Sequence, residues 1–349
     1  MKGLMLSCVL LCAVSTTILG QGARQIAVTM GNTLDLLESD VYLVQSTQKK
    51  TIAGVITISE PGSYGLAHDI EGQITIATSD VYLDFNGHTI TNNVVGQNCI
   101  LIYDVERNVT IRNGFLISGC VCYNGVDRPE NCGGIKMAMY TAFDHVQGFV
   151  FEDLTISVCT GRGILLQGGS ISNCLIKNCK IIGNSMRYST GITLGTNGVG
   201  IIINHCEISG VQHGIRFRGG GDANFSVIQN CTIMNCMLWA IIIDENSGSG
   251  NIIRNNTIRN CGYGIRASSL VKAFIYQNDV QGCQYTGVNI YDEFNSGVNR
   301  VVHCASSFYV YGNFAKNNNG GIAYNYSSEI LLKTTSPSAT TGLYANASL

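Results

Sequence analysis

Val227 to Cys236 reads VIQNCTIMNC, and Asn251 to Cys261 reads NIIRNNTIRNC. Neighbouring stretches repeat the form: IKNCKIIGN from Ile176, INHCEISG from Ile203 and FIYQNDVQGC from Phe274. The shared pattern is apolar, any residue, Asn, then Cys or Asn, any residue, apolar. A unit this short cannot bury its apolar side alone, but copies stacked on one another can.

A second series interleaves with the first. It begins at Gly163 (GILLQGGS), Gly191 (GITLGTNG), Gly214 (GIRFRGGG), Ala240 (AIIIDENS), Gly264 (GIRASS), Gly287 (GVNIYDEF) and Gly321 (GIAYNYSS). Most successive starts are about 23–26 residues apart. Each repeat therefore winds once and carries at least two short strands, and parallel strands in register hide Ile, Val, Leu and Phe as columns. Asn113, Asn178, Asn230 and Asn255 share one place, with Asp153 and His205 substituting. That place is expected to be a corner, where Asn tolerates a left-handed backbone and bonds to its neighbours.

Composition agrees with many short strands and tight turns. Of 349 residues, 41 are Gly and 3 are Pro, and only 13% are charged. A net charge of −2 gives no reason to expect nucleic acid as a partner. Lys2, the apolar run Leu4 to Val14 and the small residues up to Gly20 have the layout of a secretory signal. Residues 1–20 are thus expected to be a signal peptide and the protein to be secreted, periplasmic or on a cell surface. No later run is long enough to predict a transmembrane span. Residues 21–59 read as an N-terminal cap, 60–326 as the repeat and 327–349, rich in Ser, Thr and Ala, as a largely disordered tail.

The 15 cysteines raise the question of disulfides. Cys179, Cys206 and Cys231 occupy one place in the repeat, and Cys159, Cys236, Cys261 and Cys283 another. Same-place residues on successive turns have parallel side-chain vectors, which suit a disulfide poorly. They are expected to be inward columns of free thiols, each acting as a small hydrophobe. Cys120, Cys122 and Cys132 lie in an irregular insertion, where a local disulfide is expected.

Glu60 to Thr91 adds a resemblance. Ser63-Tyr64-Gly65-Leu66, then Ile74-Thr75-Ile76, then Tyr82-Leu83-Asp84-Phe85-Asn86-Gly87-His88-Thr89-Ile90 resemble the entry turns of right-handed parallel β-helix proteins of the pectate-lyase-like superfamily. With the later turns the resemblance covers roughly residues 60–326. It implies an all-β, single-stranded right-handed solenoid, here of about ten coils. The superfamily includes polygalacturonases, pectate lyases and alginate epimerases, but none of their catalytic sets transfers residue by residue. Where polygalacturonases carry Gly-His-Gly, this chain has Gln212-His213-Gly214, and the Asp-Pro-His of the epimerases is absent.

Candidate chemistry sits on the second strand series. Alternation turns Arg216, Arg218, Asp244, Arg266 and Tyr291 outward on neighbouring coils, with His213, Glu245 and Asp292 at the strand ends. Arg216, Arg266 and Asp244 are the candidate catalytic group; Arg218, His213, Tyr291, Glu245 and Asp292 are candidate substrate contacts. Arginine grips carboxylates through two parallel hydrogen bonds, paired carboxylates serve glycoside chemistry, and an acidic cluster holds Ca2+. The expected function is an exported protein that binds an acidic polysaccharide or cell-surface glycan, with lyase or epimerase chemistry as its catalytic form. The alternative is a non-catalytic adhesion protein, for which a salt-bridged surface is sufficient.

Overall fold

The computed structural model describes residues 49–52, 57–119, 132–138, 146–184, 188–218, 223–244, 250–268, 273–285 and 287–291, and the short strands Tyr309–Tyr311, Phe314–Lys316, Ile322–Tyr324, Leu331–Lys333 and Tyr344–Ala345. The chain divides into two units, Met1–Glu38 and Ser39–Leu349, and every described residue lies in the second. The expected signal segment therefore lies outside the described residues.

Strands pair in parallel with their counterparts one coil away, and three faces result. The first carries Asn98–Tyr103, Gly133–Ala138, Gly161–Ser172, Ser189–Val199, His213–Phe217, Trp239–Ile243, Tyr263–Ser268 and Val288–Tyr291. The second runs through Leu175–Lys177, Ile202–Asn204, Val227–Gln229 and Asn251–Arg254. The third runs through Lys180–Gly183, Glu207–Ser209, Thr232–Met234 and Thr257–Arg259. Pairing starts as early as Lys49–Ile52 and is present as late as Leu331–Lys333 and Tyr344–Ala345. The expected figure of about ten coils is matched only roughly.

Register decides the core. Ile164, Ile192, Ile215, Ile241 and Ile265 are successive partners on the first face. Ile176, Ile203, Ile228, Ile253 and Ile275 do the same on the second. Ile181, Ile208, Ile233, Ile258 and Val280 complete the third. All are buried. A β-branched side chain is stiff about χ1, so identical neighbours pack repeatedly at little cost in rotamer freedom.

The corner between the second and third faces is the expected one. Asn113, Asp153, Asn178, His205, Asn230 and Asn255 all adopt positive φ, between 51° and 60°. The Asn178 amide donates to Asp153 Oδ1 at 3.2 Å, and the Asn230 amide donates to Asn204 Oδ1 at 3.0 Å.

The residue after each corner points inward, and here the thiols align as expected. Cys179, Cys206 and Cys231 are free and buried, and their Sγ atoms approach Phe151, Ile176 and Ile203 carbonyls respectively, at 3.5, 3.6 and 3.7 Å. In the next two coils Asn256 and Asn278 take the same place and donate to the Ile228 and Ile253 carbonyls at 3.0 and 2.9 Å. The column is thus a row of inward donors, served by thiol or amide alike. Burial pushes the Cys231 thiol well up and the Cys99 thiol up to about 12. Cys236, Cys261 and Cys283 form the second free column. Register puts Asn184 and Val211 between them and Cys159, which is only half-buried. Cys132 is disulfide-bonded, and its partner lies outside the described residues.

A charged row runs along the outside of the second face. Glu152 is only 5% exposed. Its carboxylate lies 3.0 Å from Arg112 Nη1 and 3.6 Å from Lys177 Nζ, on the two flanking strands. Removing the anion from between two cations is expected to destabilise the fold by about 3 kcal/mol, so Glu152→Ala should lower the urea midpoint without changing the slope. Burial also orders the described free thiols: under native alkylation followed by peptide mass spectrometry, Cys159 should be modified before the others of this set, and Cys206 and Cys231 only on unfolding.

Candidate functional site

On the first face a glycine or alanine, Gly134, Gly163, Gly191, Gly214, Ala240 or Gly264, directly precedes the inward isoleucine of successive strands. A Cβ added at Gly214 would stand 2.7 Å from Ile233 Cγ2 and 2.4 Å from the Ala240 carbonyl, so the chain enters the strand in close contact with the next coil. The residue before this place belongs to a separate column: Arg162, Thr190 and His213 in register, then Trp239 with its partner Tyr263. Three places further on, a second column holds Leu165, Thr193, Arg216, Ile242, Arg266 and Asn289. The two columns run side by side along the solenoid.

Aromatic rings dominate the first of them. Trp239 and Tyr263 stack with centroids 4.0 Å apart, and Tyr285 stacks on Tyr263 at 4.6 Å. The guanidinium of Arg266 lies 5.3 Å from the Trp239 ring centroid, within cation–π range. The stack takes up the ring faces of Tyr263, while Tyr285 at its end is 44% exposed. On the same edge of the face, Tyr188 precedes Ser189–Val199 and is 56% exposed at φ 60°. A bulky side chain at positive φ is strained, and exposure gives Tyr188 little packing to offset that strain.

Arg216 Nε and Nη2 both donate to Asp244 Oδ2, at 2.9 and 2.8 Å. This confirms the expected meeting of Arg216 and Asp244 across neighbouring strands. Arg266, expected near the same carboxylate, lies over the Trp239 ring and acts with Arg216 and Asp244 on one imidazole, that of His213. Arg218 is exposed. Tyr291 is placed on the face by its pairing with Ser268, and Glu245 and Asp292 lie outside the described residues.

His213 stands next to this pair. Burial first, then the positive charge of Arg216, lower its pKa to about 4; Asp244 pulls the other way, and Arg266 adds a smaller downward push. The imidazole is therefore neutral at pH 7, and its buried Nδ1 has no hydrogen-bond partner. On the adjacent strand the Thr193 hydroxyl, 0% exposed, also lacks a partner. An orphaned polar atom costs about 1–3 kcal/mol, and both of these, like the Thr110 and Ser118 hydroxyls elsewhere in the fold, are closed off from solvent. Among the described residues no group of three or more His, Cys, Asp and Glu side chains is placed to hold a metal ion.

Sequence reasoning reached the charged residues through alternation but missed the aromatic edge. Trp239, Tyr263 and Tyr285 are far apart in the chain and follow no motif. Their one signal is position, immediately before or near the small residue (Ala240, Gly264 or Gly287) that opens the repeat of this series.

The comparisons with known proteins bear on the fold. An alginate lyase from Paenibacillus sp. str. FPU-7 superposes with a TM-score of 0.54 at 15% identity, covering 81% of this chain and 99% of that one. The A-module of the Azotobacter vinelandii mannuronan C-5 epimerase AlgE6 superposes with a TM-score of 0.50 at 12% identity, covering 79% of this chain and 91% of that one. No curated protein matches the sequence. No helix among the described residues is long and apolar enough to cross a membrane. The family model described as "Right handed beta helix region" matches residues 57–247 and 190–335, and the chain belongs to that family of right-handed parallel β-helices.

Proposed function

We propose that this chain is an exported protein that binds an acidic polysaccharide along its first face, between the Arg216–Arg266 column and the aromatic edge. The observation that carries the reading is the juxtaposition of Arg266 and Trp239 beside the Arg216–Asp244 pair. Guanidinium groups recognise sugar carboxylates, and exposed tyrosine rings such as Tyr188 and Tyr285 offer faces and edges to pyranose rings. A face running along the solenoid axis suits a linear polymer, since each coil presents side chains at the same places again. The two structural relatives named above are described as an alginate lyase and a mannuronan epimerase. Their likeness supports the choice of scaffold, while the substrate class rests on the residues of this face.

Catalysis is a second reading, favoured by His213. A neutral imidazole is a proton acceptor, and Arg216 beside it would stabilise charge developing on a uronate carboxylate. Abstraction of the proton next to that carboxylate leads either to elimination or, after reprotonation from the other side, to epimerisation. Ca2+ would add to that neutralisation if Glu245 and Asp292 supply oxygen ligands to it; Asp244 Oδ2 is already engaged by Arg216. If His213 is not the acceptor, the face is a recognition platform and the protein an adhesin.

Retention on immobilised polyuronate at low salt, weakened at least about tenfold in both Arg216→Ala and Arg266→Ala, is the expected result. Equal retention of wild type and variants would rule the face out. In the presence of the same polymers, unsaturated products lost in His213→Gln would establish the catalytic form, and binding without turnover the platform. The His213 shift also predicts a pH dependence. Its folded pKa lies below the unfolded value, so stability is complete above about pH 6.5 and falls as the pH drops toward 4. Thermal melts of His213→Gln should be flatter than wild type across that window.

A further inference from the structure

We infer that Asn255 carries an N-linked glycan, attached as the chain passes through a eukaryotic secretory pathway. The inference rests on the exported reading above and is independent of the polysaccharide. Asn-X-Ser/Thr, the acceptor form for such glycans, occurs at Asn108, Asn224, Asn230, Asn255, Asn325 and Asn346. Asn325 and Asn346 lie outside the described residues. An Asn-rich repeat produces this triplet by chance, so the surroundings of each asparagine have to discriminate.

Three of the four described sites are poor hosts. Asn108 is half-buried and donates from Nδ2 to Asp80 Oδ1 at 2.8 Å, and a Cβ added at Gly148 would stand 2.5 Å from its Oδ1. Asn230 is half-buried and donates to Asn204 Oδ1 at 3.0 Å, and Asn204 is itself buried. A sugar on either nitrogen would crowd a bond the fold already uses. Asn224 is half-buried too, in the strand Ala223–Asn224 that pairs with Gly198 and Val199 at the end of a first-face strand. A glycan there would stand at the edge of the proposed ligand face.

Asn255 differs in each respect. It is exposed, at φ 54° on the corner between the second and third faces. Its side-chain amide makes no hydrogen bond among the described residues. The cause lies one coil back. At this corner Asn113 and Asn230 donate to Asp84 and Asn204, which share one outward place in the register of the second face. For Asn255 that place holds Gln229, whose Oε1 already receives Arg254 Nε at 2.9 Å. The Asn255 Nδ2 is therefore left to solvent. Thr257, which completes the triplet, lies outward on the third face in line with Thr232 and Asp279. The first face does not touch this corner, so a glycan here leaves that face open.

In the transfer, Nδ2 attacks the anomeric carbon of an oligosaccharide carried on a polyprenyl diphosphate. The carbon–nitrogen bond forms, the bond from that carbon to the diphosphate oxygen breaks, and the polyprenyl diphosphate leaves. One amide proton passes to a base of the transferase, and the other stays on the nitrogen.

The full-length chain is expressed in cultured eukaryotic cells, and secreted and cell-retained protein are each treated with peptide N-glycosidase in heavy-oxygen water. That treatment leaves a labelled aspartate wherever a glycan stood. Peptide mass spectrometry should find the label at position 255 in most secreted chains, and at 108, 224 and 230 in few. Asn255→Gln and Thr257→Ala should each lose the mass of one glycan and still be secreted. The first places at this corner the residue type that Gln277 supplies one coil on, at φ 55°. The second keeps asparagine there, so either variant decides the matter if the other fails to fold. An unlabelled position 255 in secreted protein, or label as frequent at 108, 224 or 230, would overturn the inference. Retention in the cell with every triplet unlabelled would overturn the glycan and the export together, and retention on polyuronate tests the polysaccharide separately.

Discussion

The structure depends on one constraint: each coil must return the same kind of side chain to the same place above the last. Parallel pairing supplies hydrogen bonds between coils, but these do not select a register. The isoleucine columns do. Sliding one coil by a single residue would turn Ile233 or Ile215 outward and bring Thr232 or Arg216 against the core. Register is therefore fixed independently on three faces, and an error on one conflicts with the other two. The left-handed corner at Asn178, His205, Asn230 and Asn255 matters for the same reason, because it sets the distance between the second and third faces identically in each coil.

This explains what was legible in the sequence. Core and corner columns repeat chemical identity, and repetition is visible without coordinates: the Asn corner, the aligned thiols and the meeting of Arg216 with Asp244 all follow from counting residues along a coil. The Cys179 to Asn278 column shows how far the logic extends. Cys231 and Asn256 differ as residue types, yet both direct a side chain toward a main-chain carbonyl of the preceding coil. A sequence comparison sees a break at Asn256 where the physics is continuous.

The candidate site was legible only in part, because its residues are joined by side-chain reach. Alternation assigns a side to Arg266 but does not say whether its guanidinium turns to Asp244 or over Trp239; the ring took it. The stacking of Tyr285 on Tyr263 was hidden by the irregular step between third and first faces, where residue counts vary from coil to coil. The shift of His213 was hidden too, since it requires knowing that burial and two arginines act on one imidazole.

In a solenoid, function has to be written as departures from the repeat. Where every coil presents the same residue, as along Ile215, Ile241 and Ile265, the column has no means of distinguishing one place on a ligand from the next. The outward columns of the first face are the opposite case. Thr190, His213, Trp239 and Tyr263 differ at each coil, as do Thr193, Arg216, Ile242 and Arg266. Apart from the Trp239–Tyr263 stack, such variety does not repeat the packing of one coil on the next, and it leaves the Thr193 hydroxyl and the His213 ring nitrogen without partners. Buried polar groups without partners oppose folding, so at these two places the face gives up stability that the isoleucine columns supply elsewhere.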